Sequence, residues 1–82
     1  MKFIKGEIVC SSFDSRYIGV FERIDEDDNF MSCFINPENE VNNRQGNFCG
    51  FQKATKEQKN HFKQVLLNNG YSYYKGKVIH EL

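Results

Sequence analysis

The chain has no tryptophan, a single proline, only three cysteines and no net charge, its eleven basic residues being matched by eleven acidic ones. Each shortage excludes something. Cys10, Cys33 and Cys49 are odd in number, widely spaced and without a C-x-x-C pair, which speaks against a disulfide framework or a structural zinc site. Each falls in a strand-like apolar run, where a reduced thiol acts as a small hydrophobe. Zero net charge argues against bulk nucleic-acid binding driven by phosphate neutralisation. No run approaches the roughly 20 apolar residues that cross a bilayer. The opening Met1-Lys2-Phe3-Ile4-Lys5-Gly6-Glu7 lacks the apolar stretch of a signal peptide, so a cytoplasmic location is expected. Gly46, Gly50, Gly70 and Gly76 lie too far apart to form a phosphate-binding loop.

Aromatic residues are plentiful, with eight Phe and four Tyr among 82 residues. A chain of this length buries only about 60% of its unfolded surface, and each buried ring removes roughly 150–250 Å² from water. There are more rings than so small an interior needs, so some are expected to meet a partner or a second copy. The charges are also unevenly spread. Residues 1–52 hold nine acidic and five basic side chains, whereas residues 53–82 hold six Lys and two Glu. Such a dipolar chain can steer a charged partner or associate head to tail.

Residues 1–82 read as one α+β domain, with strands over about 7–51, a helix over about 56–69 and a terminal hairpin over about 71–81. Ile8-Val9-Cys10 is a β-branched first strand, and Ser11–Ser15 a polar turn. From Arg16 to Ile24, Tyr17, Phe21 and Arg23 share one face, and Ile18, Val20 and Ile24 the other. Apolar groups on both faces predict a strand covered on both sides, and Gly19 predicts a bend or close backbone approach. Asp25–Asn29 is a five-residue connection to a strand over 30–35. Residues 36–47, almost without apolar groups, read as a loop, and Phe48–Phe51 as a short fourth strand. Thr55-Lys56-Glu57-Gln58 fits a capping box, Phe62, Val65 and Leu66 form one helical stripe, and Asn69-Gly70 stops the helix. A helix of about 14 residues is marginal in water and must lie on the sheet. The expected architecture is a small curved antiparallel sheet or SH3-like barrel, with one helix in the C-terminal half and a terminal β-hairpin.

Two stretches carry a resemblance. Lys5-Gly6-Glu7-x-Val9 looks like the entry of many SH3-like barrels. Gln52–Lys59, followed by Phe62, Leu66, Gly70-Tyr71, Tyr74 and Lys77-Val78, resembles the tail of small proteins from Bacteroides-type gut bacteria, their phages and mobile elements. In those proteins a strand-rich half precedes "A-T-x-E-x-K", a short helix, "G-Y" and a closing strand. The shared motifs are a cap, a helix stop and a turn. They imply a fold and a genomic setting, and no catalytic residue. The chain departs from that tail in carrying Tyr74 where an indole is common.

No acid, base and nucleophile converge in the sequence, so the chain is read as a non-enzyme with no catalytic residue, no metal and no cofactor. Cys10, Cys33 and Cys49 with His61 and His80 are the nearest approach to a nucleophile and base. None of the thiols sits at a helix N-terminus, where a thiolate is stabilised, and half-buried structural histidines are the plainer reading. Asp25, Glu26, Asp27 and Asp28 start like a calcium loop but lack its glycine and closing Glu. They read as a solvated tip guarding a sheet edge or as an acidic contact for a basic partner. On the helix, Lys56, Lys59 and Lys63 share a face with Leu67 beside the apolar stripe. That face is either solvated or a docking patch for an acidic partner. With Tyr73 or Tyr74 stacking a base it also suits nucleic acid, a disfavoured reading given zero net charge and no Arg there. The leading expectation is a binding module, of mobile-element type by resemblance, that occupies or inhibits a host protein or pairs with itself. A nucleic-acid accessory protein, or a sequestering protein with a Phe- and Tyr-lined pocket at an oligomer interface, is the alternative.

Overall fold

Two-residue alternation in the first strands places apolar side chains on both faces of one sheet, and the fold covers each face differently. The computed structural model describes residues 2–81, in the order β1 (Ile8–Ser11), β2 (Ile18–Asp25), β3 (Asp28–Ile35), β4 (Val41–Asn42), β5 (Gly46–Phe48), β6 (Phe51–Lys53), α1 (Lys56–Asn68), β7 (Tyr71–Tyr74) and β8 (Lys77–His80). The main sheet is antiparallel, ordered β4-β3-β2-β1-β6, with β5 also on β3. Its outer strands do not pair with each other, so it is a curved open sheet and not a closed barrel. β7 and β8 form a separate hairpin.

One face of the sheet gathers Ile8, Cys10, Ile18, Val20, Cys33 and Ile35 beneath Phe62, Val65 and Leu66 of α1. Tyr71, Tyr73 and Val78 of the hairpin extend the same cluster. The opposite face holds Val9, Phe21 and Met31, with Phe3, Phe34, Phe48 and Phe51 packed on them. Rings there meet edge to face, as in Phe34 with Phe48 at 5.0 Å and Phe21 with Phe51 at 5.7 Å, the arrangement the ring quadrupole favours. Gly19 lies against this second face. A Cβ at Gly19 would sit 2.5 Å from Met31 Sδ and 2.7 Å from Phe34 Cβ, so the sheet curves where only glycine fits.

The helix begins as its sequence dictates. Thr55 Oγ1 accepts from the Gln58 N–H at 3.1 Å, and the Gln58 side chain accepts from the Thr55 N–H at 2.8 Å. Gly70, at φ 83°, follows the C-cap Asn69 and turns the chain into β7. Lys75 and Gly76, at φ 47° and 83°, make the two-residue turn between β7 and β8.

Four expectations need correction. The β2–β3 connection is Glu26-Asp27 alone, with Glu26 at φ 55°, because Asp25 and Asp28 pair across the hairpin. Ile24 does not share the face of Ile18 and Val20: register shifts around Phe21 and Arg23 turn the strand end outward, leaving Ile24 exposed. Residues 36–47 are not one loop, since β3 is long enough to pair β4 with one half and β5 with the other. The 48–51 strand is split at Cys49-Gly50, so Cys49 stands exposed between β5 and β6, outside any apolar run.

Candidate interaction surface

The molecule is elongated, about 36 × 19 × 19 Å, and its charges separate along the chain's path. α1 lies over the Ile18–Val20 segment of β2. From Val20 the strand runs about 16 Å to Asp25, at about 3.3 Å per residue. The acidic tip Asp25, Glu26, Asp27 and Asp28 is exposed and lies at the far end of β2 from the helix. Asp28 accepts from Asn47 Nδ2 at 2.9 Å, while none of the four meets a basic side chain within ion-pair distance among the described residues. Nor do any three His, Cys, Asp or Glu among the described residues come together as a metal would require.

Packing of Phe62, Val65 and Leu66 on the sheet fixes the rotation of α1. Lys56, Lys59, Lys63 and Leu67 then line the adjoining exposed flank. Leu67 is 59% exposed, which for a leucine beside a buried stripe leaves most of its side chain in water. Lys63 Nζ lies 5.7 Å from the Tyr73 ring centre. Ion pairs among the described residues use Lys5, Arg16 and Lys53 only, so Lys56, Lys59, Lys63, Lys75 and Lys77 face solvent without a carboxylate partner.

The two tyrosines separate as residues on opposite faces of a strand must. Tyr73 turns inward, its ring edge-on to Phe62 at 6.3 Å and its hydroxyl donating to the Gly6 carbonyl. Burial pushes its phenol above the usual tyrosine range and so disfavours ionisation, reinforced by the negative charge of Glu7 and opposed by a backbone hydrogen bond with Gly76. Tyr73 is therefore occupied within the fold and does not offer a free stacking face. Tyr74 points outward, 60% exposed, with Lys75 Nζ 5.3 Å from its ring centre. Of the twelve rings only Phe13 and Tyr74 are exposed. The aromatic surplus expected to meet a partner is absorbed largely by the second face of the sheet.

Glu7 ties this region to the sheet. Partial burial acts to raise its carboxyl, but hydrogen bonds from Lys53 Nζ, at 2.6 Å, and from the Ile4 N–H outweigh that, helped by the charges of Lys53 and Lys59. Glu7 accordingly ionises below the usual carboxylate range. The thiols divide by burial. Desolvation raises Cys10, opposed by a weak contact to the Gln52 carbonyl, and pushes Cys33 up to about 11. Both stay protonated at neutral pH and act as core hydrophobes. His61 is exposed, with Nε2 3.0 Å from Asn39 Oδ1, and His80 is exposed and stacked on Tyr71 at 4.6 Å. Neither histidine is the half-buried core group the sequence suggested, because each sits at the solvent edge of its element.

One feature was hidden in the sequence. A shallow groove of about 450 Å³, lined by Ser11, Phe13, Tyr17, Phe48 and Cys49, opens on the second face, and Phe13 at its edge is 88% exposed. Only pairing of β5 with β3 brings Phe48 beside Tyr17, at 5.8 Å between ring centres, and no local pattern announces that contact. Among the described residues no helix is long and apolar enough to cross a membrane. Comparison with known proteins gives no match, whether to a family model, to a curated protein or to a solved structure.

Proposed function

We propose that this chain is a non-enzymatic binding module that works by occupying a protein partner, and that Lys56, Lys59, Lys63 and Leu67 of α1, with Tyr74 of the hairpin, form its contact surface. The supporting observation is unpaired charge around exposed apolar groups: lysines without carboxylate partners flank Leu67 and Tyr74, both mostly in water. An apolar centre with a charged rim is how protein interfaces are built. The lysines select an acidic partner and hasten encounter, while Leu67 and Tyr74 supply the desolvated contact. The chain's resemblance to mobile-element proteins points to a host protein, inhibited by occupancy, as that partner. The acidic tip 25–28, at the far end of β2, is a separate contact for basic groups in the same scheme.

Capture from lysate of the source cells tests this. A protein retained by the wild-type chain after nuclease treatment, and lost with Leu67→Asp while the circular dichroism spectrum is unchanged, supports the proposal. Equal retention by both chains removes Leu67 from the contact and with it the proposed surface.

Nucleic-acid binding is the second reading, favoured by the same unpaired lysines beside exposed Tyr74. It requires affinity that falls steeply with salt and drops for Lys59→Glu. The engagement of Tyr73 within the core removes one of the two rings it relied on.

A further inference from the structure

β8 is bonded on one side only, and its ladder fixes which groups face outward. Tyr74 pairs with Lys77 across a two-residue turn, and the Glu81 N–H donates to the Gly70 carbonyl at 2.7 Å. Hydrogen-bonded pairs therefore fall at Lys77, Ile79 and Glu81, by the alternation of an antiparallel ladder. The N–H and C=O groups of Val78 and His80 point the other way, to the open edge. On side chains the order is reversed. Tyr71, Tyr73 and Val78 face the core, while Lys77, Ile79 and Glu81 lie on the outer face, exposed. Ile79 is 44% exposed, in the middle of this edge.

We propose that two copies of the chain pair antiparallel through β8, about a two-fold axis at Ile79. This goes beyond the binding function proposed above and does not depend on it. Centring the axis on Ile79 satisfies three independent requirements. First, Val78 of each copy falls opposite His80 of the other, so the outward backbone groups meet as hydrogen-bonded pairs. Second, Ile79 meets Ile79 of the second copy at a non-hydrogen-bonded position, where side chains lie closest, about 4.5–5.5 Å between Cβ atoms. Third, Lys77 falls opposite Glu81 of the second copy, and Glu81 opposite Lys77, so charges of opposite sign face each other twice. Moving the axis by one residue, to Val78, keeps an outward hydrogen-bonded pair at Val78 opposite Val78, but sets His80 opposite the turn residue Gly76 and Lys77 opposite Ile79, so Lys77 and Glu81 no longer meet. Lys77 has no ion partner within its own chain among the described residues. Glu81 accepts one hydrogen bond, from Ser72 Oγ at 2.6 Å, through Oε1, leaving Oε2 for the second copy. The result is a four-stranded sheet, β7-β8-β8-β7, with both Tyr74 side chains on its outer face.

Sedimentation equilibrium on the full chain and its charge variants tests the register. The wild type is expected to dimerise reversibly. Lys77→Glu or Glu81→Lys alone puts like charges opposite each other at both ends and is expected to weaken dimerisation by about tenfold or more. The double exchange Lys77→Glu/Glu81→Lys restores the pairs and should recover the dimer, which a merely structural role for either residue would not do. In a Cys49→Ser background, Ile79→Cys should cross-link two chains under mild oxidation, whereas Lys75→Cys should not. A wild type that stays monomeric at the highest concentrations reached overturns the proposal. So does a dimer indifferent to both single reversals, or one weakened by them and not rescued by the exchange.

Discussion

Replacing Phe62 separates the part of α1 that builds the fold from the flank left in solvent. Its side chain is fully buried between the helix and the first face of the sheet, edge-on to Tyr73. Truncation to Ala removes roughly 150 Å² of apolar contact, worth about 4 kcal/mol at about 25 cal/mol per Å². That agrees with the about 3–5 kcal/mol lost on Phe→Ala changes in packed cores. At about 0.05–0.15 kcal/mol per residue, a domain of this length has about 4–12 kcal/mol of stability in total. Phe62→Ala therefore consumes a third or more of it. Leu67, five residues on and facing water, should cost less than about 0.5 kcal/mol on truncation to Ala. Urea unfolding followed by circular dichroism at the helix band is the assay, the chain having no tryptophan to report. If Phe62→Ala leaves no folded protein, Phe62→Leu, expected to cost about 1.5 kcal/mol, takes its place. A loss at Leu67 equal to that at Phe62 would refute the assignment of the two faces, and so would a Phe62→Ala midpoint within error of wild type.

Three further outcomes follow from particular contacts. Gly19→Ala should cost about 1–3 kcal/mol in the same assay, because the new methyl meets Met31, Phe34 and the Cys33 carbonyl; a neutral result would mean the sheet is not curved there. Glu7 ionises lower in the folded chain than in the unfolded one, so its contribution is fully present above the ordinary carboxylate range and is lost as pH falls through its folded value. Wild type and Glu7→Gln should thus differ in stability at pH 7 and converge in acid, and a gap that persists at pH 2 contradicts the Lys53 contact. Thiol titration of the native chain with a disulfide reagent at pH 8 should label exposed Cys49 fast and buried Cys10 and Cys33 only on unfolding; three equally fast thiols would place both core faces in doubt.

Local rules carried the sequence a long way where the physics is local. Thr55 and Gln58, Gly70 and Gly76 each fix a cap, a stop or a turn within a few residues, and each lies where its residue type favours. The two-sided character of β2 was likewise written in the alternation of Tyr17, Ile18, Val20 and Phe21. What escaped depends on long-range pairing. Val41-Asn42 and Gly46–Phe48 are strands only because β3 offers them an edge, and polar composition gave no hint of it. The irregular register near Glu22 defeated simple alternation for Ile24. Of the candidate surface, the Lys56-Lys59-Lys63-Leu67 flank could be read from helical geometry. The burial of Tyr73 could not, because it rests on a carbonyl 67 residues away in sequence, at Gly6.

The proposed contact surface can be mapped with a photo-cross-linking amino acid placed singly at Leu67, Tyr74, Asp27 and Phe13 in the otherwise intact chain, irradiated in the source cells. A protein adduct shared by positions 67 and 74, and abolished by Lys59→Glu/Lys63→Glu, is the expected result. Adducts confined to position 13 or 27, or to nucleic acid, would contradict the account.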